Sequence, residues 1–174
     1  MFKKQQKIRF SGAGASHQNG ESEQAIKKVV NMSRTMLMHA YIRFPEDTFS
    51  TDLWPMAMDY DVLVYNRIPD MQSELSAIEI WSRSRLKPVS ETLGNFHVWG
   101  CPTYVLEPKF QKPGMKIPKW APRSWRGFNM GFGKIHPTQV GLVPNLLTGS
   151  ISPHYHVVFD DMLSTVMSST VADP

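Results

Sequence analysis

The chain has 174 residues, of which 41% are apolar, enough for a packed core and too many for global disorder. A formal net charge of +4 and a pI near 9.2 make it mildly basic, compatible with a nucleic-acid partner without requiring one. One cysteine excludes an internal disulfide framework, and no apolar run follows the basic Met-Phe-Lys-Lys-Gln-Gln start, as a secretory signal or membrane span would need. An intracellular protein is expected.

In chain order, residues 3–10 read as a strand with Ile8 and Phe10 on one face, and Ser11-Gly12-Ala13-Gly14-Ala15-Ser16 reads as a loop. No Lys-Ser/Thr follows those glycines, so they do not form a nucleotide-phosphate loop. Asn19 and Gly20 then open a helix, with Asn19 able to cap it through its side-chain oxygen. Ile26, Val29, Val30, Ser33, Met36, Leu37, Ala40, Tyr41 and Phe44 recur at three- and four-residue spacings and form a stripe predicted to face a core. The other face carries Glu23, Lys27, Asn31 and Arg34. Such an element can hold a metal-binding carboxylate rigidly and set a cation beside a phosphate. The same residues also suit a plain solvated face: acids in a first turn meet the helix dipole, and a Glu–Lys pair at i,i+4 adds roughly 0.2–0.5 kcal/mol.

A second helix is predicted from near Asp52 to Asn66, capped by Ser50 or Thr51, with Pro55 tolerated in its first turn. Leu53, Ala57, Tyr60 and Val64 give its buried stripe, and Pro69 closes it. A shorter helix around Ile78 to Ser84 carries Trp81. Residues 85–95 read as a connection.

After Phe96 the pattern changes to short strands. Phe96, Val98, Tyr104, Val105 and Leu106 mark the first ones, and prolines at 102, 108, 113, 118 and 122 forbid a long helix. Trp125, Phe128, Phe132, the run Val140-Gly141-Leu142-Val143, a turn at Thr148-Gly149-Ser150, and Val157-Val158-Phe159 follow. Strands at this spacing suggest a small barrel. The residues after Ser164 are small and polar and read as a disordered tail.

Three further features carry possible chemistry. Lys109, Lys112, Lys116, Lys119, Arg123 and Arg126 occur between Pro108 and Arg126 with no acidic residue among them, interleaved with Phe110, Trp120 and Trp125. Such a run can grip a phosphate backbone and stack on bases; it can equally be a solvated, proline-stiffened loop. His154 and His156, two apart on an expected strand, would share a face and could form half a metal site. Cys101 reads as a small packed residue rather than a reactive thiol.

The run His17-Gln18-Asn19-Gly20-x-x-Glu23, followed by Met32-Ser33-Arg34-Thr35-Met36-Leu37, resembles the end of the integrase catalytic core in copia-type retrotransposon polyproteins. Leu53-Trp54-x-x-Ala57 with Tyr65-Asn66-Arg67-Ile68-Pro69 resembles the next helix and its exit turn. Phe96-x-x-Trp99-Gly100-Cys101-Pro102-Thr103-Tyr104-Val105, Arg126-Gly127-Phe128-x-x-Gly131-Phe132 and His156-Val157-Val158-Phe159-Asp160-Asp161 are similar to later segments of that family, in the same order. The last third is most similar in wording to copia-like elements of diatoms.

The resemblance implies an α/β chain: the C-terminal part of an RNase H-like integrase core (1–84, mainly helices), a connector (85–95), a small SH3-like β-barrel (96–162) and a disordered tail (163–174). It implies a fragment of an Asp-Asp-Glu polynucleotidyl transferase that joins element DNA to host DNA. Three carboxylates would hold Mg2+ or Mn2+ for in-line displacement. Glu23 would be the third carboxylate, both catalytic and metal-binding. The two aspartates precede it in the family, and none stands before Glu23 here, so this chain alone is not expected to catalyse strand transfer. Lys27, Lys28 and Arg34 would lie along the DNA backbone, joined by Lys116, Lys119, Arg123 and Arg126, while His17 and Asn19 would shape the loop before Glu23. The partners implied are element ends and target DNA, with a homo-oligomer in the full-length parent, no membrane, and a nuclear location. The alternatives are a non-catalytic DNA-binding module and an inactive relic of a decayed element.

Overall fold

The computed structural model describes residues 12, 19–44, 50–84, 93–112, 114, 116, 119–133 and 139–166. The expected strand at 3–10, the glycine loop, His17, most of the connector and residues 167–174 lie outside the described residues.

The long helix α1 runs over Gly20–Arg43, with Glu21 and Glu23 in its first turn and Arg43 in its last, a charge order that complements the helix dipole. Asn19 occupies the N-cap position but makes no side-chain capping bond, so the predicted cap is one of place only. In its second half, the buried small residues Ser33 and Ala40 let a second helix approach. That helix, α2, spans Trp54–Tyr65 and buries Ala57, Tyr60 and Asp61. It begins two residues later than predicted, because Thr51–Leu53 winds as a 3-10 turn in which the Ser50 hydroxyl accepts the Asp52 N–H at 3.1 Å. Ser50 therefore caps the turn rather than the α-helix. A six-residue helix α3, Ala77–Ser82, starts where the Glu79 carboxylate accepts both the N–H (2.9 Å) and the hydroxyl (2.8 Å) of Ser76. It stops at Arg83, which adopts a left-handed conformation.

Among the described residues five strands follow. β1 (Pro102–Leu106) pairs antiparallel with both β2 (Ser124–Phe128) and β5 (Val157–Phe159), giving the order β2-β1-β5. β3 (Gly141–Pro144) and β4 (Ile151–His154) form an antiparallel hairpin. Its turn is held by the Asn145 side-chain oxygen, which accepts the Leu147 N–H at 2.9 Å, and by Gly149 at φ +69. The two ladders meet closely. A Cβ on Gly127 of β2 would stand 2.4 Å from Val143 Cγ1, and one on Gly141 would stand 2.9 Å from the Phe159 ring. An isolated bridge, Phe132 to Gly141, ties the run after β2 to β3. The protein is thus mixed α/β, with two small antiparallel sheets; among the described residues they do not close into a barrel. Phe96 and Val98, expected on a strand, lie in irregular backbone.

Helices and sheets share one core cluster: Ala40 and Phe44 of the first helical segment, Ala57 and Tyr60 of α2, and Trp99, Phe128 and Met130 from the second half. Phe44 sits at the C-cap of α1 with its ring 6.1 Å from that of Phe128. Not all of the α1 stripe reaches this core. Ile26 is 62% exposed, and Val30 and Tyr41 also face solvent, so the stripe is covered only in part, around Ser33, Ala40 and Phe44. Residues 163–166, expected in the disordered tail, are held instead: Asp160 accepts the Thr165 N–H and hydroxyl and the Ser164 hydroxyl, and Val166 packs on the core.

Candidate nucleic-acid interface

Glu23 stands exposed in the first turn of α1, and Lys27, Lys28 and Arg34 are exposed further along. At about 100° per residue, Glu23, Lys27 and Arg34 fall within about 40° of one another and span about 16 Å of axis. Asn31 flanks them. Lys28 lies about 140° from Glu23, so the structure does not bring it to this stripe.

Lys116, Lys119 and Arg123 are exposed on the segment entering β2. The Lys119 ammonium lies over the Trp120 ring, 5.2 Å from its centroid. Arg126, within β2, is exposed but committed on one side: its guanidinium stands 5.4 Å from the Phe44 ring centroid. It therefore braces the end of α1 against β2 as well as presenting charge.

His154 and His156 do not share a strand face, which corrects the sequence reading. β4 ends at His154, the backbone bends at Tyr155–His156, and β5 starts afterwards. His154 is half-buried, 2.9 Å from Ser152 Oγ and edge-on to Trp125, and burial lowers its pKa. His156 is exposed against Tyr155. Among the described residues no group of three or more His, Cys, Asp or Glu side chains is placed to hold a metal ion. Glu23 offers a single carboxylate, which by itself is not a donor set for two ions. Cys101 is fully buried, and burial, with the neighbouring Asp161, pushes its thiol well above the usual range, which keeps it protonated and inert.

Local spacing gave no sign of a second polar cluster. Asp161 accepts the Val98 N–H at 2.7 Å through Oδ1 and lies 2.8 Å from His97 Nδ1 through Oδ2, while the His97 ring stacks on Phe159 at 3.8 Å. The Tyr60 hydroxyl donates to the His97 carbonyl, and burial raises the phenol pKa far above its ordinary value. Asn129 Nδ2 donates to the carbonyls of His97 and Val98. The cluster pins the 96–99 segment to the end of β5 and edges an open apolar cleft of about 480 Å3 lined by Met36, His39, Tyr60, Phe96 and Trp99. His97 and Asp161 are 64 residues apart, so only motif order, not spacing, could have linked them.

No family model, curated protein or solved structure matches the chain. Among the described residues no helix is long and apolar enough to cross a membrane.

Proposed function

We propose that this chain is part of a copia-type retrotransposon integrase, comprising the C-terminal part of the RNase H-like catalytic core and a small SH3-like barrel. The parent joins element DNA to host DNA by metal-assisted strand transfer. In it Glu23 is the third metal-binding carboxylate, completed by two aspartates from the upstream part of the core. Those three carboxylates would hold Mg2+ or Mn2+, and such ions would supply Lewis-acid polarisation of the scissile phosphate. Lys27 and Arg34 lie against the DNA backbone beside Glu23. Lys116, Lys119, Arg123 and Arg126 add phosphate contacts from the second half, and Lys28 adds positive charge on an adjoining face. A nuclear location and a homo-oligomeric parent follow from the same reading.

The observation that carries it lies on α1. The helix is anchored in the chain's own core at Ser33, Ala40 and Phe44, yet Ile26 and Val30 are left 62% and 45% exposed at the end where Glu23 stands. Apolar side chains uncovered beside an exposed carboxylate are what a helix would show if that end packed on a further part of a catalytic core. In the second half, two small antiparallel sheets in contact, β2 against β3, are compatible with the barrel part of this reading.

A non-catalytic DNA-binding module is favoured by one different observation: helices and sheets share a buried cluster, so the chain supplies its own core. The experiment that separates the two joins a two-aspartate segment from such an element to the N-terminus. Strand transfer of an element-end oligonucleotide is then measured with Mg2+ or Mn2+. The integrase reading expects activity that Glu23→Gln abolishes; activity untouched by that change, or none in a fusion that folds and binds DNA, rejects it.

A further inference from the structure

Trp120 is 89% exposed, on the segment that leads into β2. An indole left in water presents a wide, flat aromatic face on which another planar group can stack. Its surroundings indicate which kind. Lys119 places its ammonium 5.2 Å from the ring centroid, Lys116 and Arg123 are exposed on the same segment, and no acidic residue occurs from Pro108 to Arg126. Glu107, whose N–H donates to the Arg123 carbonyl, has its carboxylate paired with Lys109. A flat apolar face among exposed cations complements a ligand that is both planar and polyanionic. Nucleic acid has both properties, but in duplex DNA the base faces are already stacked on each other and only their edges are presented in the grooves. An indole can gain a base face only where the base is unpaired.

We propose that Trp120 is a stacking platform for an unpaired base, so that this segment binds single-stranded DNA in preference to duplex. The inference rests on the nucleic-acid reading above and names the form of DNA taken at the same basic segment. Lys116, Lys119 and Arg123 hold the phosphates flanking the stacked base, and the indole adds an interaction that duplex cannot supply.

The test is fluorescence anisotropy of the full chain with a labelled single-stranded oligonucleotide and with the same strand annealed to its complement. Trp120→Ala is expected to weaken single-strand binding roughly 5- to 150-fold, the worth of stacking one base, and to leave duplex binding within about twofold. Trp120→Phe should retain most of the affinity, and tryptophan fluorescence should be quenched by the single strand in the wild type but much less in Trp120→Ala. The triple change Lys116→Gln, Lys119→Gln, Arg123→Gln should weaken both forms and flatten the salt dependence. If the triple change has that effect but Trp120→Ala weakens both forms equally or neither, the stacking inference is overturned while the DNA reading stands. A wild-type chain that binds neither form overturns both. Trp120-dependent binding to anionic phosphatidylserine vesicles, with oligonucleotide affinity unchanged in Trp120→Ala, also overturns it. Because Trp120 is exposed, its variants should melt like the wild type.

Discussion

Asp61 holds its carboxyl group fully buried between α1 and α2, and the hydrogen-bond arithmetic there decides its charge. Ser33 Oγ lies 3.1 Å from Asp61 Oδ2 and 2.9 Å from the Val29 carbonyl, while Asp61 Oδ1 has no partner. A hydroxyl has one proton. If Asp61 is ionised, its Oδ2 competes with Val29 for that proton and Oδ1 stays bare. If Asp61 is neutral, it donates to Ser33 and Ser33 donates to Val29, so every donor is used. Burial raises this carboxyl above its ordinary value of 3.8, and the Ser33 bonds oppose the rise only in part. The folded pKa is therefore above the unfolded one. The stability Asp61 contributes is fully present below the unfolded value and is lost as pH rises through the folded one.

Asp61→Asn keeps the shape and supplies a permanent N–H donor toward Ser33. At neutral pH it should stabilise the chain by roughly 1–3 kcal/mol, the cost of an unmet buried polar group. For a chain of this size that is about 2–4 °C in Tm per kcal/mol. The assay is thermal unfolding of both proteins from pH 4 to pH 8. Their Tm difference should widen as pH rises. His154 acts in the opposite sense: burial lowers its pKa from 6.5, so its contribution is present above that value and lost on acidification. Being common to both proteins, it cancels in the comparison. An Asp61→Asn protein less stable than wild type at every pH, with a constant difference, would refute the reasoning and mean that a donor satisfies the ionised carboxylate.

Two other substitutions test the packing. Gly127→Ala would bring a Cβ to 2.4 Å from Val143 Cγ1 and 2.9 Å from the Pro144 carbonyl, which backbone cannot avoid cheaply; a loss of about 1–3 kcal/mol is expected by chemical denaturation, and an unchanged midpoint would show that the sheets are not in contact there. Phe128→Ala removes a ring that is 2% exposed and packed on Phe44, and should cost about 3–5 kcal/mol in one cooperative transition that also unfolds the helices. Loss of the sheet signal alone would mean that the two halves melt separately.

The helices were legible because their signals are local. The three- and four-residue apolar spacing places α1, Pro55 and Pro69 bracket α2, and Ala57 and Tyr60 are buried as their stripe predicts. Periodicity names a face without naming its cover, so it could not reveal that Ile26 and Val30 are uncovered while Ser33 and Ala40 are buried. The histidine reading failed for a related reason. A two-residue period holds only while the strand continues, and this one breaks at Tyr155. Pairings across the chain, such as β1 with β5 or His97 with Asp161, are fixed by long-range packing and leave no local spacing to read.

On the proposed nucleic-acid reading, that long-range packing has a consequence for how DNA would be held. Phe44 terminates α1, lies under Phe128 of β2, and takes the Arg126 guanidinium over its ring. Two contacts thus join the C-terminal end of the helix that carries Glu23, Lys27 and Arg34 to the strand that follows Lys119, Trp120 and Arg123. Interdigitated aromatic cores are dense and do not slide by degrees. The basic stripe of α1 and the base of the cationic segment are therefore held in one fixed relation by the core itself. A DNA strand engaging both would find the α1 cations and the strand-entry cations already placed relative to each other, so less ordering cost falls on binding than if the two halves were joined only by a linker.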